Sequence, residues 1–190
     1  MIPQYDIKDL DKIDGHEYVD LGLTSGLKWA ACNVGANSPD DAGGFYAWGE
    51  IETKKDYFEE ECITNGKKMR DISADPEYDA ARAVCGGSWR MPTKEELEEL
   101  RTECTWIWCT ENDVKGYKVT GPNGKSIFLP TELEGDKIHY SANYLSSSLN
   151  TTKPNRAYSL YVKDSSNYIT NFSNRMYGLG NYVRPVMRKK

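Results

Sequence analysis

Short β-prone runs separated by turn-rich loops account for most of the hydrophobic positions in this chain, and after residue 104 apolar and polar residues alternate. Such alternation is typical of β-strands with one buried face. A Gly-Pro-Asn-Gly turn between two of these runs indicates a hairpin. The pattern predicts strands at 16–23, 27–34, 45–48, 106–109, 116–120, 126–130, 140–149, 157–162, 168–172 and 182–187.

Helical signals are confined to the middle of the chain. Thr93 and Glu96 form a capping box, in which each side chain satisfies a free backbone donor at the start of a helix. Apolar residues then follow at helical spacing. A shorter helix is expected at 76–84, whereas residues 51–75 lack clean periodicity and are expected to be irregular. These elements predict an α+β domain with short strands, two helices and extensive loops.

The chain has 190 residues, enough for one core that buries about 70% of the unfolded surface. Residues 1–14 are charged and mostly polar, so we expect a flexible N-terminal leader followed by a single domain at 15–190. The N-terminus has neither the basic stretch nor the apolar region of a signal peptide. No apolar run approaches the ~18 residues of a spanning helix, so no membrane span is expected.

The net charge of −5 conceals an asymmetry between the two halves of the chain. Residues 1–100 carry a net charge of −11, and residues 101–190 carry +6. From Lys137 onward the net charge is +8. This basic segment either offsets the acidic half within one globule or favours an acidic partner. It has no dense Lys/Arg cluster, so no nucleic-acid partner is expected.

Candidate catalytic and metal-binding residues are few. The five cysteines are odd in number and include no C-x-x-C pair, so no disulfide framework is evident. His16 and His139 lie far apart along the chain and near no cysteine pair, which argues against a structural zinc site. No nucleophile motif accompanies them. We therefore expect no metal, no cofactor and no enzymatic activity.

The C-terminal quarter of the chain has an unusual composition. Seven of the 12 asparagines lie from Asn143 onward, and seven of the 13 tyrosines lie from Tyr140 onward. Antibody-like binding surfaces combine tyrosine with serine and asparagine, because tyrosine supplies contact area with little loss of rotamer entropy. Short strands and turns need the same residue types, so composition alone leaves both explanations open.

Five motifs follow one another along the chain and together span most of it. They are KWAACNVGA at 28–36, FYAWGE at 45–50, GSWRMPT at 87–93, GPNGKSIFLP at 121–130 and VRPV at 183–186. In these motifs the chain resembles the fibrobacter succinogenes major paralogous domain, a family of Bacteroides-type bacteria and their phages. The resemblance implies a C-type-lectin-like fold, which the formylglycine-generating enzymes share.

Two functional motifs of that fold group are missing or altered. The chain has no counterpart of the C-terminal cysteine motif of the formylglycine-generating enzymes, so their oxidase activity is not expected. Sugar-binding lectins ligate calcium with Glu-Pro-Asn or Gln-Pro-Asp. The nearest counterpart is Lys153-Pro154-Asn155, where a cation replaces the calcium-ligating residue, so calcium-dependent sugar binding is not expected.

The C-terminal segment is also similar to the variable region of proteins diversified by retroelements, whose adenine-directed mutagenesis acts largely on Asn codons. The segments 146–149, 157–161, 174–175 and 178–186 resemble the scaffold of such a region. Paralogues of the family carry a similar ending without diversification, so both origins stay open.

The resemblance implies a non-enzymatic domain that binds a protein or glycan receptor on a target surface. Such a domain is expected on a cell surface, in secreted form or on a phage particle. The alternative is a structural or adhesin module of a surface lipoprotein or fimbria, without a variable site. The contacts are expected to cluster on one exposed face, and they are Tyr140, Asn143, Tyr144, Asn150, Asn155, Tyr168, Asn171, Ser173, Tyr177 and Asn181.

Overall fold

Strands make up most of the regular structure in the computed structural model of the chain. The structure describes residues 11–133, 140–153, 155–164, 166–174 and 181–188, with the backbone alone for residue 59 and for 171–174. In this part of the chain the strands are β1 (Lys12–Ile13), β2 (His16–Asp20), β3 (Lys28–Ala30), β4 (Thr105–Glu111), β5 (Val114–Thr120), β6 (Ser126–Pro130), β7 (Glu132–Leu133), β8 (Tyr140–Leu149), β9 (Arg156–Lys163), β10 (Ser166–Asn174), β11 (Asn181–Tyr182) and β12 (Val186–Met187). The helices are α1 (Ala80–Cys85) and α2 (Lys94–Glu103), and Glu59–Glu61 form one turn of 3₁₀ helix.

The described strands form three sheets. The N-terminal sheet has the order β1-β2-β3-β12, and the middle sheet has the order β4-β5-β6. The C-terminal sheet has the order β10-β9-β8-β11, with β7 also paired to β8. Strand β12 lies antiparallel to β3, so the end of the chain returns to its N-terminal strands. A mostly β architecture with two short helices agrees with the expected α+β class.

Helix α2 begins where the capping box predicts. The Thr93 hydroxyl accepts a hydrogen bond from the Glu96 N–H at 3.3 Å, and the Glu96 carboxylate accepts one from the Thr93 N–H at 2.9 Å. The same carboxylate pairs with the Arg90 guanidinium at 2.6 Å. Burial alone would raise the pKa of Glu96, but Arg90 and the Thr93 N–H together hold it below its ordinary value. These contacts confirm the predicted start of the helix.

The main hydrophobic core joins the three sheets to α2. It includes Trp29 of β3, Val119 of β5 and Leu160 of β9, each fully buried. Leu97 and Leu100 of α2 pack into the same core and are at most 1% exposed. The core therefore receives side chains from both halves of the chain.

A short strand lies within the segment that was expected to be a flexible leader. Residues Lys12–Ile13 form β1 and pair with β2, although both lie within the predicted flexible leader. The Trp89 indole N–H donates a hydrogen bond to the Ile13 carbonyl at 3.1 Å. Two residues of the predicted leader therefore pair with the domain, and residues 1–10 lie outside the described part of the chain.

The predicted strand at 45–48 does not form. The Tyr46 N–H donates to the Asn181 carbonyl, and the Trp48 indole N–H donates to the Ser146 carbonyl, each at 3.0 Å. Both aromatic side chains are buried in a second hydrophobic cluster. This aromatic run is an irregular segment packed on the C-terminal strands, a role that its local pattern does not distinguish from a strand.

The predicted strand at 182–187 is divided by Arg184 into β11 and β12. The Arg184 side chain is 1% exposed, and its guanidinium donates to the Asn33 amide oxygen and the Phe128 carbonyl, each at 2.8 Å. Pro185 follows and has no N–H for a ladder bond. The inward cation and the proline together interrupt the pairing.

Helix α1 begins at Ala80 instead of residue 76. The buried Asp79 carboxylate caps the helix by accepting hydrogen bonds from the N–H groups of Arg82 and Met91 at 2.9 Å each. Such a cap requires extended backbone before the helix, which residue 79 has.

The other strand predictions coincide with observed strands to within a few residues at each end.

Candidate binding face on the C-terminal sheet

The strand register gives the C-terminal sheet two faces of different chemistry. Directly opposed residues of antiparallel strands project from the same face, and successive residues of a strand alternate between faces. Asn143 of β8 lies opposite Tyr161 of β9, which lies opposite Tyr168 of β10. Tyr144 and Leu160 are also opposed, one residue along, so they belong to the other face.

The inner face of this sheet packs on the main core. Ala142, Tyr144, Leu160 and Val162 project from it and are at most 4% exposed. Helix α2 packs against β8, β9 and β10. The inner face is therefore part of the hydrophobic core.

The outer face carries a polar cluster, here called the outer patch, at one end of the sheet. The ring centroids of Tyr161 and Tyr168 are 5.4 Å apart, and Tyr168 is 44% exposed. Asn143 Oδ1 accepts a hydrogen bond from the Ser159 hydroxyl at 3.3 Å, which orients the amide. The outer patch consists of six residues that are at least partly exposed, namely Ser141, Asn143, Tyr161, Lys163, Ser166 and Tyr168.

The opposite end of the outer face is covered. Leu145, Ser159 and Thr170 continue the same face but are buried. Leu145 packs in the second hydrophobic cluster with Trp48 and Val183. A partner approaching the outer face therefore meets the outer patch and not the full length of the strands.

The outer patch is rich in hydrogen-bond donors. Its one charged residue, Lys163, stands at the end of β9, where the Tyr117 hydroxyl donates to the Lys163 carbonyl at 2.8 Å. The other five side chains of the patch carry hydroxyl or amide groups. Hydroxyl and amide groups both donate and accept hydrogen bonds, whereas the ammonium group only donates.

Two predicted contacts, Asn143 and Tyr168, lie together in the outer patch. Asn155 is also exposed, but it lies in the loop between β8 and β9, at the opposite end of β9 from Lys163. The structure therefore brings a pair of the predicted contacts together and places a third elsewhere.

Tyr140 lies on the inner face, because it is an even number of residues from Tyr144 along β8. Its ring centroid is 6.5 Å from that of Trp108, and the Lys115 ammonium lies 4.5 Å from it. Tyr140 and Asn143 thus project from opposite faces. This contradicts the expectation that all contacts share one face.

The structure also contradicts the expected exposure of Tyr144, which is 1% exposed. Its hydroxyl donates to the Pro130 carbonyl at 2.8 Å, and its ring centroid is 5.5 Å from that of Tyr182. Burial raises the pKa of the Tyr144 phenol far above its ordinary value. Tyr144 belongs to the core, because its position in β8 faces inward.

Asn150 and Asn181 are 2% and 7% exposed, which contradicts their expected place on an exposed face. Asn150 Oδ1 accepts hydrogen bonds from the N–H groups of Thr152 and Lys153 at 3.0 Å each, so the side chain shapes the turn after β8. Asn181 lies beside Asn143 in the parallel β11–β8 pairing. Neither side chain has the free surface that a diversified contact needs.

Three predicted contacts stay predictions. Tyr177 lies outside the described residues. Asn171 and Ser173 lie in β10, where only the backbone is described.

Sequence reasoning missed Tyr161, the central residue of the outer patch, together with Lys163 and two serines. The signal was the alternation in β9, where polar residues at 159, 161 and 163 flank apolar residues at 160 and 162. A count of residue types ignores the face of the strand on which each residue lies. The composition of the C-terminal quarter therefore does not reveal these residues.

Other candidate chemistry is sparse in the described part of the chain. All five cysteines lie in it and none forms a disulfide. Burial raises the pKa of Cys85 to about 11 and that of Cys104 to about 12, which disfavours the reactive thiolate form of both at neutral pH. Among the described residues, no group of three His, Cys, Asp or Glu side chains is placed to hold a metal ion. No helix there is long and apolar enough to cross a membrane.

No family model, curated protein or solved structure matches this chain. Function is therefore inferred from the outer patch and from the motifs of the sequence.

Proposed function

We propose that this chain is a non-enzymatic receptor-binding domain with a C-type-lectin-like fold, whose outer patch contacts a protein or glycan on a target surface. The observation that carries the proposal is the row formed by Asn143, Tyr161 and Tyr168 on three neighbouring strands. Tyrosines beside serine and asparagine supply contact area and adaptable hydrogen bonds. A sheet presents them with little further loss of conformational freedom.

The resemblance to the fibrobacter succinogenes major paralogous domain supports this role. Its motifs fall at structurally demanding positions: GPNG is the turn between β5 and β6, and the buried Arg184 belongs to VRPV. We accordingly place the domain at a bacterial surface or on a phage particle.

Retroelement diversification is proposed only for positions that are at least partly exposed, such as Asn143, Asn155 and Tyr168. Sequencing the neighbourhood of the gene tests this point. The expected result is a reverse-transcriptase gene beside a near-copy of the C-terminal coding segment, differing mainly at adenines in the codons of exposed residues. Differences concentrated at Tyr144 and Asn181 would contradict it, because both side chains are buried.

Binding is tested with the labelled domain on a glycan array and on intact Bacteroides-type cells. The variant Tyr161→Ala/Tyr168→Ala removes both rings of the outer patch, and Ile107→Ala is the matched control. Ile107 is 53% exposed on β4 of the middle sheet, so the control trims an exposed side chain elsewhere. We expect the double variant to bind at least about tenfold more weakly, because truncating a central contact residue commonly costs more than 1 kcal/mol.

The same experiment addresses the alternative of a structural or adhesin module. That role is favoured by Tyr144, Asn150 and Asn181, whose burial shows that part of the tyrosine and asparagine enrichment serves packing. If the double variant binds as well as wild type, the outer patch is not the contact surface. If the wild-type domain binds none of these probes, the structural role takes the place of the binding role.

A further inference from the structure

The Asn143 side chain is held in one orientation by a buried neighbour. Its Oδ1 accepts a hydrogen bond from the Ser159 hydroxyl at 3.3 Å, and Ser159 is fully buried. An asparagine amide has one acceptor oxygen and two N–H donors on its nitrogen. Because the oxygen is turned towards the covered end of the outer face, the Nδ2 group faces the outer patch. Asn143 therefore presents hydrogen-bond donors to a partner.

Lys163 supplies a second donor beside this amide. It lies opposite Ser141 in the pairing of β8 with β9, and Asn143 lies two residues further along β8. Diagonal neighbours of this kind are about 7–8 Å apart, which is within reach of a long side chain. Among the described residues, the Lys163 ammonium takes part in no ion pair. One carboxylate between the two side chains can therefore accept from Nδ2 and Nζ together.

The two acidic residues nearest to Lys163 in the sheet and in the chain act on tyrosines of the core. Glu132 of β7 lies two strand spacings away, about 10 Å, and burial together with its carboxylate raises the pKa of Tyr182. Asp164 follows Lys163 in the chain, and burial together with its charge raises the pKa of Tyr117. Neither acid forms an ion pair with Lys163, so the ammonium is available to a carboxylate of a partner.

The dimensions of the outer patch favour a small partner. Its six residues lie on three neighbouring strands, which span about 10 Å across the sheet and about 7 Å along it. Leu145 and Thr170 are buried and limit the patch at the other end. A stable protein interface covers about 800 Å² of each partner. A short saccharide matches the patch better than a protein surface does.

The two tyrosine rings suit a sugar. The planes of Tyr161 and Tyr168 are inclined at 57° with their centroids 5.4 Å apart, so the rings are not stacked face to face. The face of an aromatic ring carries negative partial charge. The C–H groups on one side of a sugar ring are weakly positive and pack on such a face.

We propose, building on the binding function proposed above, that the outer patch takes a saccharide that carries a carboxylate, as uronic and sialic acids do. The carboxylate accepts hydrogen bonds from the Asn143 amide and the Lys163 ammonium, and the sugar ring packs on Tyr161 and Tyr168. Ser159 is a positioning residue, because it acts through the Asn143 amide. Charge-assisted hydrogen bonds are roughly twice as strong as neutral ones, so the carboxylate decides which saccharide binds.

A glycan array tests the proposal with tetragalacturonic acid, a hyaluronan tetrasaccharide and sialyllactose, each beside its methyl ester. We expect the domain to bind at least one of the acids at least about tenfold more tightly than its ester, because a hydrogen bond to a charged group commonly contributes that much. Hexaglutamate, an acidic peptide, is the further probe and should bind more weakly than that acid.

Two variants test the donors. Lys163→Gln removes the ammonium, and the control Lys153→Gln removes the same charge from an exposed loop residue. Asn143→Asp keeps an acceptor for the Ser159 hydroxyl but replaces the N–H donors with a charged oxygen. Each of the two variants should weaken binding of the acid at least about tenfold, whereas the control should bind as wild type does. Thermal melts beside wild type show that the variants fold.

Four results would overturn the proposal. They are equal binding of acids and esters, hexaglutamate binding as tightly as the acid, Lys163→Gln binding as well as Lys153→Gln, and a domain that binds intact Bacteroides-type cells but none of the acidic saccharides. The last result leaves the proposed binding function standing. A domain that binds neither cells nor any saccharide overturns both proposals.

Discussion

The two faces of the C-terminal sheet use the same residue types for opposite purposes. On the inner face Tyr144 is 1% exposed, and its hydroxyl is bonded to a backbone carbonyl. On the outer face Tyr168 is 44% exposed, and its ring contacts that of Tyr161. Enrichment in tyrosine and asparagine therefore does not locate a binding surface in a sheet. The position of each residue in the strand alternation does.

The largest difference between the faces should appear when the tyrosine rings are removed. Tyr144→Ala should lower the free energy of unfolding by about 3–5 kcal/mol, as is usual for a buried aromatic residue. Urea unfolding of this variant beside wild type measures the effect. A loss below about 1 kcal/mol would show that the ring is not part of the core, since that is the range of a surface substitution.

The alkaline limit of stability should also depend on the inner face. Burial raises the pKa of Tyr144 and that of Tyr182 above the ordinary value of 10.0. Above that pH the unfolded chain ionises these phenols and the folded chain does not, so stability is complete below pH 10.0 and falls as the pH rises.

Removing one buried phenol should reduce the loss of stability at alkaline pH. Above the ordinary pKa of tyrosine, the free energy of unfolding should fall with pH less steeply for Tyr144→Phe than for wild type. The difference in slope should be about 1.4 kcal/mol per pH unit, because the variant has one buried phenol fewer. Urea unfolding at a series of alkaline pH values measures the slope. Equal slopes for wild type and variant would mean that Tyr144 ionises in the folded protein.

A smaller difference in stability is expected between replacing Asn143 of β8 and replacing Asn150 of the turn that follows it. Asn150→Ala removes the acceptor of two backbone N–H groups and should cost about 1 kcal/mol. Asn143→Ala is the matched variant in the outer patch and should cost less, because this partly exposed amide oxygen accepts a single hydrogen bond, from the Ser159 hydroxyl. Thermal melts of the two variants test the difference. Equal shifts in melting temperature would show that the asparagine of the turn and that of the outer patch contribute equally to stability.

The smallest effect is expected at the exposed ring. Tyr168→Ala should change the free energy of unfolding by no more than about 0.5 kcal/mol, because a surface side chain tolerates replacement. The measurement is the same urea titration that is used for Tyr144→Ala. A cost similar to that of the inner tyrosine would show that the outer patch is part of the packed structure.

Elements whose signals are local can be predicted from the sequence. The capping box of Thr93 and Glu96 places the start of α2, since both of its hydrogen bonds lie within one helical turn. The strands that form β5 and β6 follow from alternation and from the turn between them. Of the candidate contacts in the outer patch, Asn143 and Tyr168 can be predicted from the composition of the C-terminal quarter alone.

Which side of each strand is covered depends on tertiary packing. Leu145 and Asn143 share a face, yet one is buried because Trp48, far away in the chain, packs over that end of the sheet. The hydrogen bond from Trp48 to Ser146 spans 98 residues of sequence. Arg184 likewise turns inward to reach carbonyls of distant strands and so divides a predicted strand in two. Burial depends on partners brought together by the fold, and a local pattern contains no information about those partners.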